Sequence, residues 1–371
     1  MPHLNQARQP GMETKIPSFS IVYETENLAS VELENIYRSL GSIAAQDVSP
    51  EQANEFLIID GGNAPPEVIE ELCSKYSWIT VRQAPGIGYY EAKMLGASLA
   101  TGEIVVYCDS DCEYETNWLR EILTTFWQSS DINIVAGETS TPVRNPYEFA
   151  LALHYFFPRF SGKKQPYEST RYFLNAVAFR RDFLLQHPIP CDLPIYRGNC
   201  VVHAYSLCDL HGYKIWKVPQ ARSLHEPPTI SFIFWRYLLM GRDRVVRKGL
   251  LNRLLEESQN YADTATSSAG LSQTFYKKIR LFASSLKWDI QQNSHKVIAV
   301  IKENPRLALC LPLVFPMVLG FELLFNIGRA ITYFQPNSLL NRYQKIEDKD
   351  NESASMSRSV ASTVSNRGGL L

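Results

Sequence analysis

From Phe19 onward, short apolar runs alternate with longer stretches in which apolar residues recur every three or four positions. A run of roughly four to eight apolar residues bounded by turn residues reads as a buried strand, and the longer period reads as one face of a helix. Phe19 to Tyr23 is the first such run. Asn27 stands where it can cap a following helix that carries Leu28, Val31, Ile36, Tyr37 and Leu40. Phe56 to Ile59 predicts a second strand, ending at Asp60-Gly61-Gly62. Pro65 and Pro66 open a helix with Val68, Ile69, Leu72, Cys73 and Tyr76 on its apolar positions. Trp78 to Val81 is a short third strand, Tyr89 to Ala100 a helix closed by Gly102, and Glu103 to Cys108 a fourth strand. This alternation predicts an α/β domain whose central sheet is mainly parallel, with right-handed crossovers.

Beyond Asp111 the spacing predicts a helix over Asn117 to Trp127 and a strand over Ile132 to Ala136. An apolar strand from Phe173 to Phe179 follows, ending at Arg180-Arg181. A helix from Asn199 to His211 is stopped by Gly212, and a strand from Tyr213 to Val218 leads to Ser223-Leu224-His225.

The last third has a different pattern. Leu307 to Phe321 contains no charged residue, and the apolar stretch reaches Phe334 when Glu322 and Arg329 are tolerated. Roughly 20 apolar residues suffice to cross a bilayer. Pro312, Pro316, Gly320 and Glu322 interrupt the stretch, so it reads as a span or as a broken or re-entrant membrane segment, the alternatives being a buried core helix or a partner-binding helix. Upstream, the aromatics between Ser231 and Leu239 precede Arg242, Arg244, Arg247 and Lys248, which suits a helix lying in a headgroup layer or a plain basic surface helix. The expected organisation is a leader (1–17), one large domain (18–228), a helical linker (229–306), a membrane segment (307–334) and a disordered tail (347–371). Lys302 and Arg306 before the apolar stretch favour a membrane-associated protein with a cytoplasmic domain.

The net charge of −1 over 371 residues argues against a nucleic-acid binder. Seven cysteines without a Cys-x-x-Cys pair suggest a reducing compartment rather than a disulfide framework.

The candidate chemistry sits at strand ends. Asp109-Ser110-Asp111 follows the fourth strand, where α/β sheets collect their ligands. Two carboxylates there can hold a hard divalent cation and share it with a phosphate. In order along the chain stand Ser20-Ile-Val-Tyr-Glu-Thr-Glu-Asn, Glu55-Phe-Leu-Ile-Ile-Asp-Gly-Gly, Gly88-Tyr-Tyr-Glu-Ala-Lys-Met-Leu-Gly, Asp109-Ser-Asp, Asn175-Ala-Val-Ala-Phe-Arg-Arg and Leu224-His225. This series, from about Phe19 to Pro227, resembles the inverting family-2 glycosyltransferases of GT-A fold. The resemblance implies a nucleotide-sugar donor, a lipid-linked or glycan acceptor and a Mg²⁺ or Mn²⁺ cofactor. It also implies roles for individual residues. Thr25, Glu26 and Asp60 would line the nucleotide pocket, and Lys93 would stand near the base or phosphates. Asp109 would face the ribose and the metal, while Asp111 and His225 would bind the metal. Arg180 and Arg181 would help to bind phosphate or shape the acceptor side.

One part of the pattern is missing. An inverting transfer needs a base for the acceptor hydroxyl. The family supplies it from an acidic pair opening a helix in the second half, and the matching place here, Tyr196-Arg197-Gly198-Asn199-Cys200-Val-Val-His203, has no carboxylate. Asp192 and His203 are the nearby substitutes. The Cys200-x-x-His203 and Cys208-x-x-His211 spacings have the look of a zinc motif, but ligands strung over about 16 Å of one helix cannot surround one ion. The missing pair also admits a non-catalytic, nucleotide-sugar-binding descendant. A nucleotidyltransferase would want glycines after the first strand, where Glu24-Thr25-Glu26-Asn27 stands, and a dehydrogenase would want a third glycine after Gly86-Ile-Gly88.

Overall fold

The computed structural model describes residues 15–30, 32–154, 157–263 and 295–346. Most of the expected leader, Val31 and the whole expected tail lie outside these described residues.

A nine-stranded sheet forms the centre, in the order β3-β2-β1-β4-β8-β6-β9-β5, with β7 paired to β9 off this path. The strands are β1 (Phe19–Glu24), β2 (Phe56–Asp60), β3 (Ile79–Gln83), β4 (Ile104–Asp109), β5 (Cys112–Tyr114), β6 (Ile134–Ser140), β7 (Tyr167–Ser169), β8 (Ala176–Arg180) and β9 (Ile215–His225). The helices of the same layer system are α1 (Glu34–Ala44), α2 (Pro66–Lys75), α3 (Tyr89–Leu99), α4 (Trp118–Trp127), α5 (Pro146–His154), α6 (Arg181–Gln186) and α7 (Asn199–Tyr205). On β1, Ile21 and Tyr23 join one buried cluster while Val22 joins the other, so alternate residues fill cores on the two faces of the sheet. Both faces are covered, which is why the first strands read as unbroken apolar runs.

The first half is parallel as expected: β3, β2, β1 and β4 all run the same way. The second half is mixed. β8 is antiparallel to both β4 and β6, and β5 and β7 are antiparallel to β9. Apolar periodicity marks a strand but carries no direction, so the reversal could not be read from it. The helix expected from Asn27 begins later, at Glu34, after a 3₁₀ turn over Glu26–Ser30. β9 is longer than expected because its register against β6 shifts between Gly137 and Glu138, which accommodates Pro219 within the strand.

The C-terminal layer holds α8 (Ile230–Asp263), α9 (residues 295–303), a 3₁₀ turn (Pro305–Cys310), α10 (Leu311–Phe334) and α11 (residues 338–346). α10 packs along α8 and α5. A Cβ on Gly241 would collide with the backbone of Phe325, and one on Gly328 with that of Leu238, so two glycines allow the close crossing of these helices. Residues 305–334 are long and apolar enough to cross a membrane.

Candidate metal and nucleotide site

Parallel pairing aligns the carboxyl ends of β1, β2 and β4. Glu24 lies opposite both Ile59 and Asp109, which brings Glu24, Asp60 and Asp109 to one edge of the sheet. The Asp60 Oδ1 accepts the Thr25 hydroxyl at 2.7 Å and the Gly62 N–H at 3.0 Å. Gly62 has φ +93°, a conformation that favours glycine. Thr25 in turn accepts the Gly61 N–H at 3.3 Å. Thr25 and Asp60 are thus joined, as a shared pocket would require.

Glu24 is fully buried and caps the turn after β1, accepting the amides of Glu26 and Asn27 at 2.7 and 3.3 Å. Burial, with the nearby Asp109 charge, holds its carboxyl well above the usual range. Asn27 does not cap a helix. Its side-chain amide bridges Glu24 Oε1 and Asp109 Oδ2, both at 3.1 Å.

Asp109 is held from every side. Lys93 Nζ donates to its Oδ1 at 2.5 Å and to the Cys108 carbonyl at 2.5 Å. Tyr89 OH donates to Oδ2 at 2.8 Å, and the Asp109 carbonyl accepts the Ser39 hydroxyl at 2.8 Å. Lys93 is fully buried, with the Tyr89 and Tyr107 rings about it. This corrects the expectation that Lys93 touches the base or phosphates. Its ammonium neutralises Asp109 instead, because a lysine at this position on α3 points into the sheet rather than the cleft. Asp109 has both oxygens engaged, so a metal there would have to displace protein donors.

Asp111 and His225 are brought together by the sheet. β5 pairs with β9 so that Cys112 lies opposite His225, and the Glu226 amide donates to the Asp111 carbonyl at 2.8 Å. His225 Nε2 sits 3.1 Å from Asp111 Oδ2. The ring packs against Phe157 at 4.5 Å between centroids with the planes tilted by 39°, and its Nδ1 donates to the Glu226 carbonyl at 2.8 Å. With Nδ1 acting as donor, Nε2 directs its lone pair at a carboxylate oxygen unless a proton lies between them. Burial is the largest single influence and would lower the His225 pKa, but the Asp111 charge and hydrogen bond, the Asp109 charge and the Glu226 carbonyl together outweigh it, and the ring is raised above its ordinary value. Conversely, Asp111 is lowered despite its burial because the imidazole faces it. Two lone-pair atoms that converge on one proton are also donors for a divalent cation, the carboxylate suiting a hard ion such as Mg²⁺ or Mn²⁺ and the imidazole being a softer donor beside it.

Cys112 completes a group with Asp111 and His225 whose ligand atoms lie within 4.8 Å of one another. Sequence reasoning missed it. Its thiol is buried, accepts the Asn175 amide at 3.2 Å, and is pushed well above its ordinary pKa by burial and by Asp111. A protonated thiol is a poor partner for a hard cation.

A second residue the sequence left without a role is Arg197, on the loop before α7. Its guanidinium pairs with Glu26, reaches Asn27 Oδ1 at 3.4 Å and lies 4.5 Å over the Tyr89 ring. Asp243 of α8 fixes this loop by accepting the amides of Tyr196 and Arg197 at 3.2 and 2.9 Å. Where an acidic pair was expected, the site therefore presents a cation.

Neither substitute base joins this group. His203 is in the core: Nδ1 meets Tyr172 OH at 2.6 Å, Nε2 the His187 carbonyl at 2.9 Å, and burial lowers its pKa to about 4. Both ring nitrogens are used, which corrects the expectation that it takes an acceptor proton. Asp192 is exposed, and no hydrogen bond or ion pair links it to the carboxylate group among the described residues. Arg180 is tied to Glu103 and to the carbonyls of Phe126, Ser129 and Ile132 at the opposite end of β4. Arg181 bonds to the Ser98 carbonyl at 3.2 Å, so neither arginine reaches the cleft.

Known proteins resemble parts of this chain. Residues 29–187 match the model of the family described as Glycosyl transferase family 2. The chain is 30% identical over 115 residues to Probable N-acetylgalactosaminyltransferase 7 of Caenorhabditis elegans, covering 29% of this chain and 18% of that protein. It is 24% identical over 129 residues to Glycosyltransferase AglE of Haloferax volcanii, covering 34% and 40% respectively. The chain thus spans less than half the length of either relative. Among solved structures, the mannosyltransferase PcManGT from Pyrobaculum calidifontis, in complex with GDP-Man and Mn²⁺, aligns with a TM-score of 0.51 at 17% identity, over 87% of this chain and 88% of that one. That likeness shows a common fold. Together with the mixed sheet, the match shows a chain that over residues 29–187 is similar to the family-2 glycosyltransferases and that has the fold of the GT-A glycosyltransferases.

Proposed function

We propose that this protein is a metal-dependent glycosyltransferase that takes a sugar from a nucleoside diphosphate donor to a lipid-linked or polysaccharide acceptor at a membrane, with its domain on the cytoplasmic side. The observation that carries the reading is the approach of His225 to Asp111, two residues beyond Asp109, whose strand ends level with the β1 end that leads to Thr25 and its partner Asp60. Asp60 keeps Oδ2 without a protein partner among the described residues, which leaves it to accept from the nucleoside. Asp111 and His225 would hold Mg²⁺ or Mn²⁺, and the bound cation would take up charge on the departing diphosphate. Lys93 and Tyr89 keep Asp109 oriented at the pocket floor. Arg197, paired with Glu26 in this structure, would serve the phosphates by exchanging that carboxylate for them. No base is needed when the attacking group is already ionised, as a lipid phosphate is, and this accommodates a cation where the acidic pair is missing.

The second reading is a donor-binding protein without turnover, favoured by that same absence. Calorimetry with UDP-, GDP- and other nucleotide sugars, with and without Mn²⁺, tests both on the wild type and on Asp111→Ala. Metal-dependent binding of one donor, lost in the variant, is expected. Turnover with a glycan or lipid phosphate acceptor then separates enzyme from binder, and a folded protein that binds no donor refutes both.

A further inference from the structure

The two faces of α10 differ along its whole length. At 3.6 residues per turn, Val314, Phe321, Gly328 and Thr332 fall on one side, and all four are buried against α8 and α5. Leu313, Leu319, Leu323, Ile327 and Phe334 fall on the other, and all five are exposed, Phe334 to 87%, as is Leu309 of the preceding turn, to 84%. Ile230 and Phe234 of α8 and Ile298 of α9 are further exposed apolar residues of this C-terminal layer. An exposed apolar face of this extent marks an interaction surface.

A helix crossing a bilayer along its normal needs hydrocarbon or apolar protein at every level of its middle. Here that condition fails. Gly241 meets α10 at Phe325 and Arg329, so the fully buried Arg242–Asp243 pair of α8 lies at the same level as the second half of α10. Glu322 of α10 pairs with His154 of α5 at 2.6 Å and accepts from Asn326, and Arg329 donates to Asn326. Asp243 in turn holds the Arg197 loop of the site. A perpendicular α10 would drag these charges, and the α5 edge of the domain, into hydrocarbon, which is costly. Both ends of the exposed face carry exposed cations, Lys302 and Arg306 before it and Arg342 and Lys345 after it. This is the charge distribution that an anionic headgroup layer complements.

We infer that α10 does not span the membrane but lies in its surface, its exposed apolar face in one leaflet of an anionic phospholipid bilayer, with the domain and the tail after residue 346 on the same side. This rests on the membrane association proposed above and is independent of sugar transfer. It also fixes the site at a set height over the lipid, because Asp243 links the Arg197 loop to the docked layer.

The test uses the full chain with a C-terminal epitope. In membranes from expressing cells, opened so that the domain faces the added protease, the epitope is expected to be digested with the domain. An epitope protected while the domain is cut would overturn the in-plane placement. In flotation, the purified protein is expected to rise with phosphatidylcholine vesicles containing phosphatidylglycerol. The L319E/L323E variant, with an unchanged melting temperature, is expected to bind about tenfold less. Equal flotation of the two proteins would overturn the assignment of this face. Failure of the wild type to bind any vesicle would overturn the membrane association itself. A lipid-free dimer abolished by L319E/L323E would assign the face to a second copy of the chain and overturn the proposal.

Discussion

Replacing Lys93 by methionine tests the claim that this lysine serves Asp109 rather than a ligand. The pair is sealed, with side-chain exposures of 0% and 3% and a 2.5 Å separation. Methionine fills much the same space but removes the ammonium, leaving a buried carboxylate with only the Tyr89 and Asn27 donors. Removing one partner of a buried pair costs about 3–5 kcal/mol. For a domain of roughly 150–250 residues, where 1 kcal/mol moves Tm by about 2–4 °C, Lys93→Met should melt about 6–20 °C lower. Lys93→Met/Asp109→Asn removes both charges and should recover most of the loss, because two neutral groups of similar shape replace the pair. Urea denaturation followed by tryptophan fluorescence gives the midpoint and slope for the wild type, both single variants and the double variant. A loss below about 1 kcal/mol in Lys93→Met, or a double variant no more stable than the single ones, would refute the reasoning. A variant of unchanged stability that no longer bound a nucleotide sugar would instead support the ligand-contacting role first expected from the sequence.

The buried His203 gives a pH signature. Its folded pKa of about 4 lies below the ordinary 6.5, so the unfolded chain binds the extra proton between those values and stability falls as pH drops from about 6.5 to 4, by up to about 3 kcal/mol. Thermal melts across that range should show a shallower acid limb in His203→Gln, and identical limbs would contradict the assignment. Gly328→Ala should destabilise by about 1–3 kcal/mol because its Cβ meets the Leu238 backbone, whereas Gly320→Ala, with open space around it, should stabilise by about 0.5–1 kcal/mol. Melts of both variants in the same detergent check the sign difference. Arg197→Met should weaken donor binding about 10–100-fold, the worth of a charge-assisted hydrogen bond, and calorimetry with the donor identified for the wild type measures it.

What the sequence determined by itself is local. The apolar runs of β1, β2 and β4 and the turn residues after them were legible because burial on both faces leaves no polar position within a strand. Two of those strand ends carry Asp60 and Asp109, which could be named as candidates from one dimension. The resemblance implied a shared pocket for Thr25 and Asp60, and in the structure the two are joined by a 2.7 Å hydrogen bond. The tertiary structure decided whatever depends on contacts far apart along the chain. The approach of His225 to Asp111 follows from the register of β5 on β9, and no local pattern states which strands pair. The reversal of β8, the burial of Lys93 against Asp109 and the capture of Glu26 by Arg197 from 171 positions away are of the same kind. A side chain's type shows what it can bond to, and only the packed chain fixes which of those bonds is made, since each buried charge must take the partner that the fold places beside it.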